Sequence, residues 1–196
     1  MSYVIVGLGN PDTEYEGTRH NFGRDLVRSI WQKEFFSDWK EDPKTKSLVA
    51  KGEIAGKKVT LVLPETYMNK SGLAVKHFVT SRKASERLIV IYDELDIPLG
   101  SFKISFGRGD GGHNGVKSII SSLKTKDFVR IRAGISKETP GGKLKKIRGE
   151  KKILDFLMNT FTPAEKKNFN AVRKKIQAAV ETIISEGRVK AMNIHN

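Results

Sequence analysis

Cysteine is absent from the 196 residues. That excludes a disulfide framework, a thiolate zinc site and a cysteine nucleophile, and it agrees with a reducing cytoplasm. Long apolar runs are also missing. The longest are about the length of "LIVIY" at 88–92, far short of a bilayer-spanning helix. The opening "MSYVIVGLGN" has no basic start and no extended apolar segment, so it does not read as a secretory signal. Histidine is scarce: there are four, none at the i, i+4 spacing of a helical metal site, so no metal is expected. Acidic residues are in deficit. The chain has 36 Lys and Arg against 22 Asp and Glu, a net charge of +14. Such a field favours polyanionic partners through steering and counterion release, against the plainer reading of a protein that is simply basic.

What is present fits one globular domain over 1–196, with 38% hydrophobic residues and no internal repeat or linker. "YVIVG" (3–7), "KVTLVL" (58–63), "RLIVIYD" (87–93), "SFKISFG" (101–107) and "VRIRAGI" (129–135) read as strands. Helical spacing runs from His20 to about Phe36, through "NKSGLAVKHFVTSR" with Ala74, Phe78 and His77 toward the core, and through "HNGVKSIISSL". Strands alternating with helices predict an α/β fold. The hairpin-like 47–63 adds an antiparallel portion, so the sheet is mixed. Residues 137–152 hold seven cations against two Glu around Pro-Gly-Gly and read as a mobile basic loop. "TPAE" (162–165) has a capping-box pattern with Pro163 at the first helical position. A long amphipathic helix follows, stopped by Gly187, with a lysine-rich face that is either solvated or RNA-facing.

The chemistry-bearing residues cluster at strand ends. "GLGNPD" has two glycines of a dinucleotide fingerprint, but Asp12 stands where the third belongs. The better reading is a tight turn presenting Asn10 at a strand's carboxyl end. His20, just before a helical pattern, has the residue type of a general base. Asp93 ends the most apolar strand; a buried carboxylate needs a partner, and a histidine Nδ1–H is one. No serine or cysteine stands out as a nucleophile, so the simplest chemistry is a His–Asp pair acting on water. Asn69, in "PETYMNKSG", either caps a helix or holds a substrate carbonyl. "GDGGHNG" (109–115) surrounds His113 and Asn114 with glycines but lacks a P-loop's following Lys-Ser/Thr. Its free backbone N–H groups better suit an oxyanion.

Taken together, "VGLGNPDTEYEGTRHNFG", "PETYMNKSG", "DELDIPLGSFKISFGRGDGGHNG" and the closing "KAMNIHN" resemble bacterial peptidyl-tRNA hydrolases in order and spacing, from residue 3 to the C-terminus. The resemblance implies a single α/β domain, a twisted mixed sheet surrounded by helices. It implies a monomeric, cytoplasmic, cofactor-free hydrolase that releases tRNA by cleaving the ester between a peptide and the tRNA 3′-terminal ribose. By the same resemblance His20 is the base, supported by Asp93. Asn10, Asn69 and Asn114 line the peptide and 3′-end site, with Asn114 also holding the attacking water or the oxyanion. Tyr15, Tyr67 and Met68 flank that site and His113 plays a supporting role. Lys103 and Arg132 match positions that grip the 5′-phosphate end of tRNA. Ser105 stands where a second lysine can occur, and Asp110 where other members can be uncharged; Arg108 or Lys117 would compensate. The closing His195-Asn196 is read as structural or frayed. The rival readings are a non-catalytic basic RNA-binding module, and a nucleoside-processing or small-peptidase enzyme on a similar sheet.

Overall fold

The first apolar run forms the middle of a seven-stranded sheet. The computed structural model describes residues 2–33 and 35–196. Strands β1 (Ser2–Gly7), β2 (Lys40–Asp42), β3 (Ser47–Ile54), β4 (Lys57–Pro64), β5 (Leu88–Pro98), β6 (Phe102–Phe106) and β7 (Val129–Ser136) lie in the order β2-β3-β4-β1-β5-β7-β6. The central pairs β4–β1, β1–β5 and β5–β7 are parallel, whereas β2–β3, β3–β4 and β6–β7 are antiparallel. The mixed single-domain α/β expectation is met. The reason is legible in β5: its first seven residues are all buried, as a strand covered on both faces requires.

Two layers of helix cover the sheet. On one face α1 (Phe22–Lys33) and α6 (Pro163–Glu186) bury Phe22, Leu26, Val27 and Ile30 against Phe169, Val172, Ile176 and Val180. On the other, α2 (Ser71–Val75) and α4 (Asn114–Leu123) bury Val75, Val116 and Ile119 with Val6, Val90 and Tyr92. Gly23 lets α1 sit on β5; a Cβ there would stand 2.2 Å from the Ile91 carbonyl oxygen. Gly72 does the same between α2 and α4, where a Cβ would lie 2.2 Å from the Ser118 carbonyl oxygen.

Several elements depart from the sequence reading. His20 lies just before α1, in a 3₁₀ turn Arg19–Asn21, and the helix itself runs over Phe22–Lys33 rather than from His20 to about Phe36. The helix expected over 69–82 is split into a 3₁₀ turn (Met68–Lys70), α2 and α3 (Arg82–Ser85), and His77 is exposed. Gly72 and the β-branched Val75, Val79 and Thr80 give the stretch little helix propensity. Residues 137–145 form a small hairpin rather than a featureless loop, with Glu138 bridged to Leu144 and Lys145 N–H donating to the Lys137 carbonyl at 2.8 Å. Part of the same basic stretch folds into α5 (Glu150–Met158), which buries none of its residues. The capping box at Thr162 and Glu165 forms as expected. The C-terminus is ordered as α7 (Arg188–His195): Asn196 closes the edge strand β6, exchanging two hydrogen bonds with the Ile104 backbone, and His195 meets Thr182 at 3.0 Å.

Candidate active site

The carboxyl ends of β1 and β5 are adjacent because those strands run parallel side by side. This is where open α/β sheets place ligands. The loop after β1 brings Asn10 and then His20; the body of β5 brings Asp93; the loop after β6 brings His113 and Asn114.

Asp93 is buried and accepts from two imidazoles. His20 Nδ1 lies 3.2 and 3.1 Å from its two oxygens, and His113 Nε2 lies 3.1 Å from Oδ1. The tautomers follow from the partners. His113 caps α4, its Nδ1 accepting from Gly115 N–H at 3.2 Å and Val116 N–H at 3.4 Å. Its proton is therefore on Nε2, directed at Asp93. A carboxylate only accepts, so the His20 proton is on Nδ1, and Nε2 of His20 keeps a lone pair. Burial alone would raise the Asp93 pKa, but the two histidines outweigh it and hold the carboxyl far below the usual range. Burial alone would lower His20; the charge and hydrogen bond of Asp93 outweigh it, and the net shift is upward.

The turn carrying His20 is tied at both ends. Asn21 exchanges two bonds with the Asn10 backbone, at 2.8 and 3.0 Å. The buried Arg19 donates to the Asn159 and Thr160 carbonyls and, through Nη2, to both oxygens of Glu165 at 3.0 and 2.9 Å. Phe156 and Phe161 pack over the guanidinium, 4.5 and 5.1 Å from their ring centres. This tether was not read from the sequence. The capping box flags Glu165, but nothing flags its pairing with a residue 146 positions away.

The remaining expected residues divide into groups. Asn10 Oδ1 accepts the Met68 N–H at 2.8 Å, which leaves the amide's two donors. Met68 itself is buried, packed beside Leu8 and Gly115. Asn69 caps no helix; it is exposed in the 3₁₀ turn and lines a cavity of about 420 Å³ with Asn114, Lys70, Lys117 and Ser118. Tyr67 is half-exposed and donates its hydroxyl to Asp12 at 3.1 Å, with Tyr15 partly buried beyond. Lys103 and Arg132 are direct cross-strand neighbours, but Arg132 donates to Glu94 at 2.8 Å, which neutralises part of its charge. Ser105 lies buried opposite Arg130. The expected backbone oxyanion hole needs correction. His113 takes the Gly115 and Val116 N–H groups, and Asp110 takes those of Gly112 and His113. The glycines shape the loop, and the exposed Asn114 amide at the start of α4 is a side-chain donor that no described residue takes up.

The same frame recurs in known proteins. The sequence profile of the family described as peptidyl-tRNA hydrolase matches residues 4–196. The chain belongs to the peptidyl-tRNA hydrolase family. It is similar to the peptidyl-tRNA hydrolase of Carboxydothermus hydrogenoformans, 39% identical over 195 residues, covering 99% of this chain and 98% of that one. The peptidyl-tRNA hydrolase of Thermodesulfovibrio yellowstonii is 40% identical, covering 98% of each. Among solved structures, peptidyl-tRNA hydrolase from Acinetobacter baumannii superposes with a TM-score of 0.84 at 32% identity, over 97% of this chain and 92% of that chain. No described helix of this family member is long and apolar enough to cross a membrane.

Proposed function

We propose that this chain hydrolyses the ester joining a peptide, or another N-blocked aminoacyl group, to the 3′-terminal ribose of tRNA, releasing both. The observation that carries the reading is the buried Asp93 shared by His20 and His113 at the carboxyl edge of the sheet. A non-catalytic RNA-binding module has no use for it.

Of the two histidines on Asp93, His20 is the base: its Nε2 meets no described partner, whereas His113 accepts through one nitrogen and donates through the other. His20 Nε2 takes a proton from water. The oxygen attacks the ester carbonyl, and Asn114 donates to the resulting oxyanion. The ribose oxygen leaves with the proton returned by His20. His113 keeps its Nε2 proton on Asp93; it completes the solvation of the carboxylate and keeps it aimed at His20.

Discrimination against free aminoacyl-tRNA follows from Asn10. Its oxygen is already committed to Met68, so it presents N–H donors. Those suit a peptide carbonyl and leave a charged α-ammonium unmatched. Asn69 acts beside it, while Tyr15, Tyr67 and Met68 bound the same site. Lys103 and Arg132 hold tRNA phosphate, Lys103 carrying more of the charge.

The reaction uses no metal. Ligand atoms of His20, Asp93 and His113 do lie within 4.8 Å of one another. A metal on His113 Nε2, however, would force the ring proton onto Nδ1, against the Gly115 and Val116 N–H groups. The enzyme acts as a cytoplasmic monomer. The test is ester loss from N-acetyl-aminoacyl-tRNA in the presence of EDTA, with parent and His20→Ala. Hydrolysis by the parent alone is expected; an intact ester, or loss of activity on chelation, would contradict the reading.

A further inference from the structure

More than half of the net charge sits away from the expected tRNA contacts. Residues 137–175 carry twelve Lys or Arg against four Asp or Glu, +8 of the chain's +14. Lys103 and Arg132 project to the sheet face that holds α4, because their strand neighbours Phe102, Ile104, Ile131 and Ala133 face α1 and α6. The cations of α6 lie on the other side of the molecule. Lys166, Lys167, Lys174 and Lys175 are all exposed, opposite the buried Phe169, Val172, Ile176 and Val180.

An ordinary solvated helix face interleaves acids with bases, gaining from i, i+4 pairs. This one does not. No Asp or Glu occurs between Glu165 and Glu181, and none of the four lysines is within ion-pair distance of a carboxylate among the described residues. Lys166 and Lys167 also sit near the positive end of the helix dipole, where cations are unfavourable. The arrangement costs the fold stability, and among the described residues no carboxylate compensates it. The surface begins beside the catalytic turn, since Glu165 binds Arg19, and it adjoins the basic hairpin through Lys137, 3.4 Å from Glu165.

We propose that the outer face of α6 is a second RNA-binding surface, which takes the phosphate backbone of an RNA duplex. It is separate from the path by which the acyl-bearing 3′ end reaches His20, and in that respect it rests on the function proposed above. The chemistry favours a duplex held by its phosphates. The exposed positions between 166 and 178 are Lys, Asn and Ala, with no aromatic platform for unpaired bases and no apolar side chain large enough to enter a lipid layer.

The probe is a fluorescent RNA duplex of about one helical turn, with no 3′ overhang and no acyl group, followed by anisotropy across a salt series. Parent protein is compared with Lys166→Gln/Lys167→Gln/Lys174→Gln/Lys175→Gln and with Lys103→Gln. At about 0.9 per phosphate contact, the quadruple variant should flatten the log–log salt slope by about 2–4 and weaken binding tenfold or more near 0.15 M salt. Lys103→Gln should change duplex binding little. In parallel, kcat and KM for N-acetyl-aminoacyl-tRNA should stay within about threefold of parent in the quadruple variant. An unchanged slope overturns the proposal. So does a KM that rises as steeply as the duplex Kd, because one path then serves both. Equal competition from anionic phospholipid vesicles would also overturn it. If the parent fails to hydrolyse the ester but the quadruple variant still loses the duplex, the function proposed above fails while the RNA surface stands.

Discussion

Replacing Glu165 by alanine should unsettle a residue 145 positions away, His20. The carboxylate accepts the Thr162 backbone N–H at 2.7 Å and two bonds from Arg19, and it faces the Lys137 ammonium. Two losses add. Removing the reciprocal half of the capping box costs about 1 kcal/mol. Arg19 is only 3% exposed, so its guanidinium would be left buried without a counter-charge, at about 3–5 kcal/mol. The Asn159 and Thr160 carbonyls remain as acceptors, so the sum should fall at about 3–5 kcal/mol. Urea denaturation reads this as a lower midpoint at constant slope. Burial pushes the Glu165 carboxyl up, but the Thr162 and Arg19 hydrogen bonds outweigh it and bring it down to about 2. A depressed acid stabilises above its unfolded pKa. The contribution is therefore whole above about pH 4.5 and is lost as pH falls toward 2. An Arg19→Met/Glu165→Met double variant should recover part of the loss, since it strands no charge. A cost below about 1 kcal/mol for Glu165→Ala, or no recovery in the double variant, would refute the reasoning.

Other consequences are equally direct. Asp25 is held up to about 6, mainly by burial against the partial relief of Arg173, Arg28 and Arg24. A raised acid favours the folded state at low pH and loses that advantage as pH rises through about 6. Asp25→Asn should therefore stabilise by about 1–3 kcal/mol at pH 8 in thermal or urea melts, with the gain roughly halved near pH 5 and gone below about pH 4; no gain at pH 8 would contradict it. Gly72→Ala should force α2 from α4 and separate Asn69 from Asn114, raising KM and lowering the melting temperature; unchanged values would mean the two helices yield freely. Asn114→Ala should lower kcat by about 10²–10³ with little change in KM if its amide is the oxyanion donor, and steady-state kinetics that show a KM effect alone would reassign it. Asn10→Asp should shrink the preference for N-acetylated over free aminoacyl-tRNA, read as the ratio of the two kcat/KM values; an unaltered ratio would assign the selection to another residue.

The sheet was legible because buried strands leave apolar runs: β1 and β5 carry them unbroken, β4 is broken only by Thr60, and β7 sets Val129, Ile131 and Ala133 in alternation with arginines. α6 was legible from its cap, its apolar period and its terminal glycine. The helix after Asn69 was overextended because local spacing does not show where a chain turns to meet α4. α5 was missed since lysines and glycines dominate its approach and none of its apolar side chains is fully buried. At the site, residue types and loop positions pointed to His20, Asp93, Asn10 and Asn114. What the sequence could not show was pairing at a distance: His113 on Asp93, Arg19 on Glu165, and Arg132 partly spent on Glu94. The glycine loop misled for a related reason. Glycines signal accessible N–H groups, but not which neighbours already accept from them.

The account depends most on Asp93 making His20 a stronger base, and the pH dependence of kcat/KM on N-acetyl-aminoacyl-tRNA tests that claim. His20 must be neutral to act, so the rate should rise with pH through a midpoint above the ordinary histidine value of about 6.5. In Asp93→Asn, burial alone remains to act on the ring, so the midpoint should fall below that of the parent while the plateau drops by about 10²–10⁴. A variant that keeps the parent's midpoint and plateau would show that Asp93 does not act on His20, and the mechanism would be wrong.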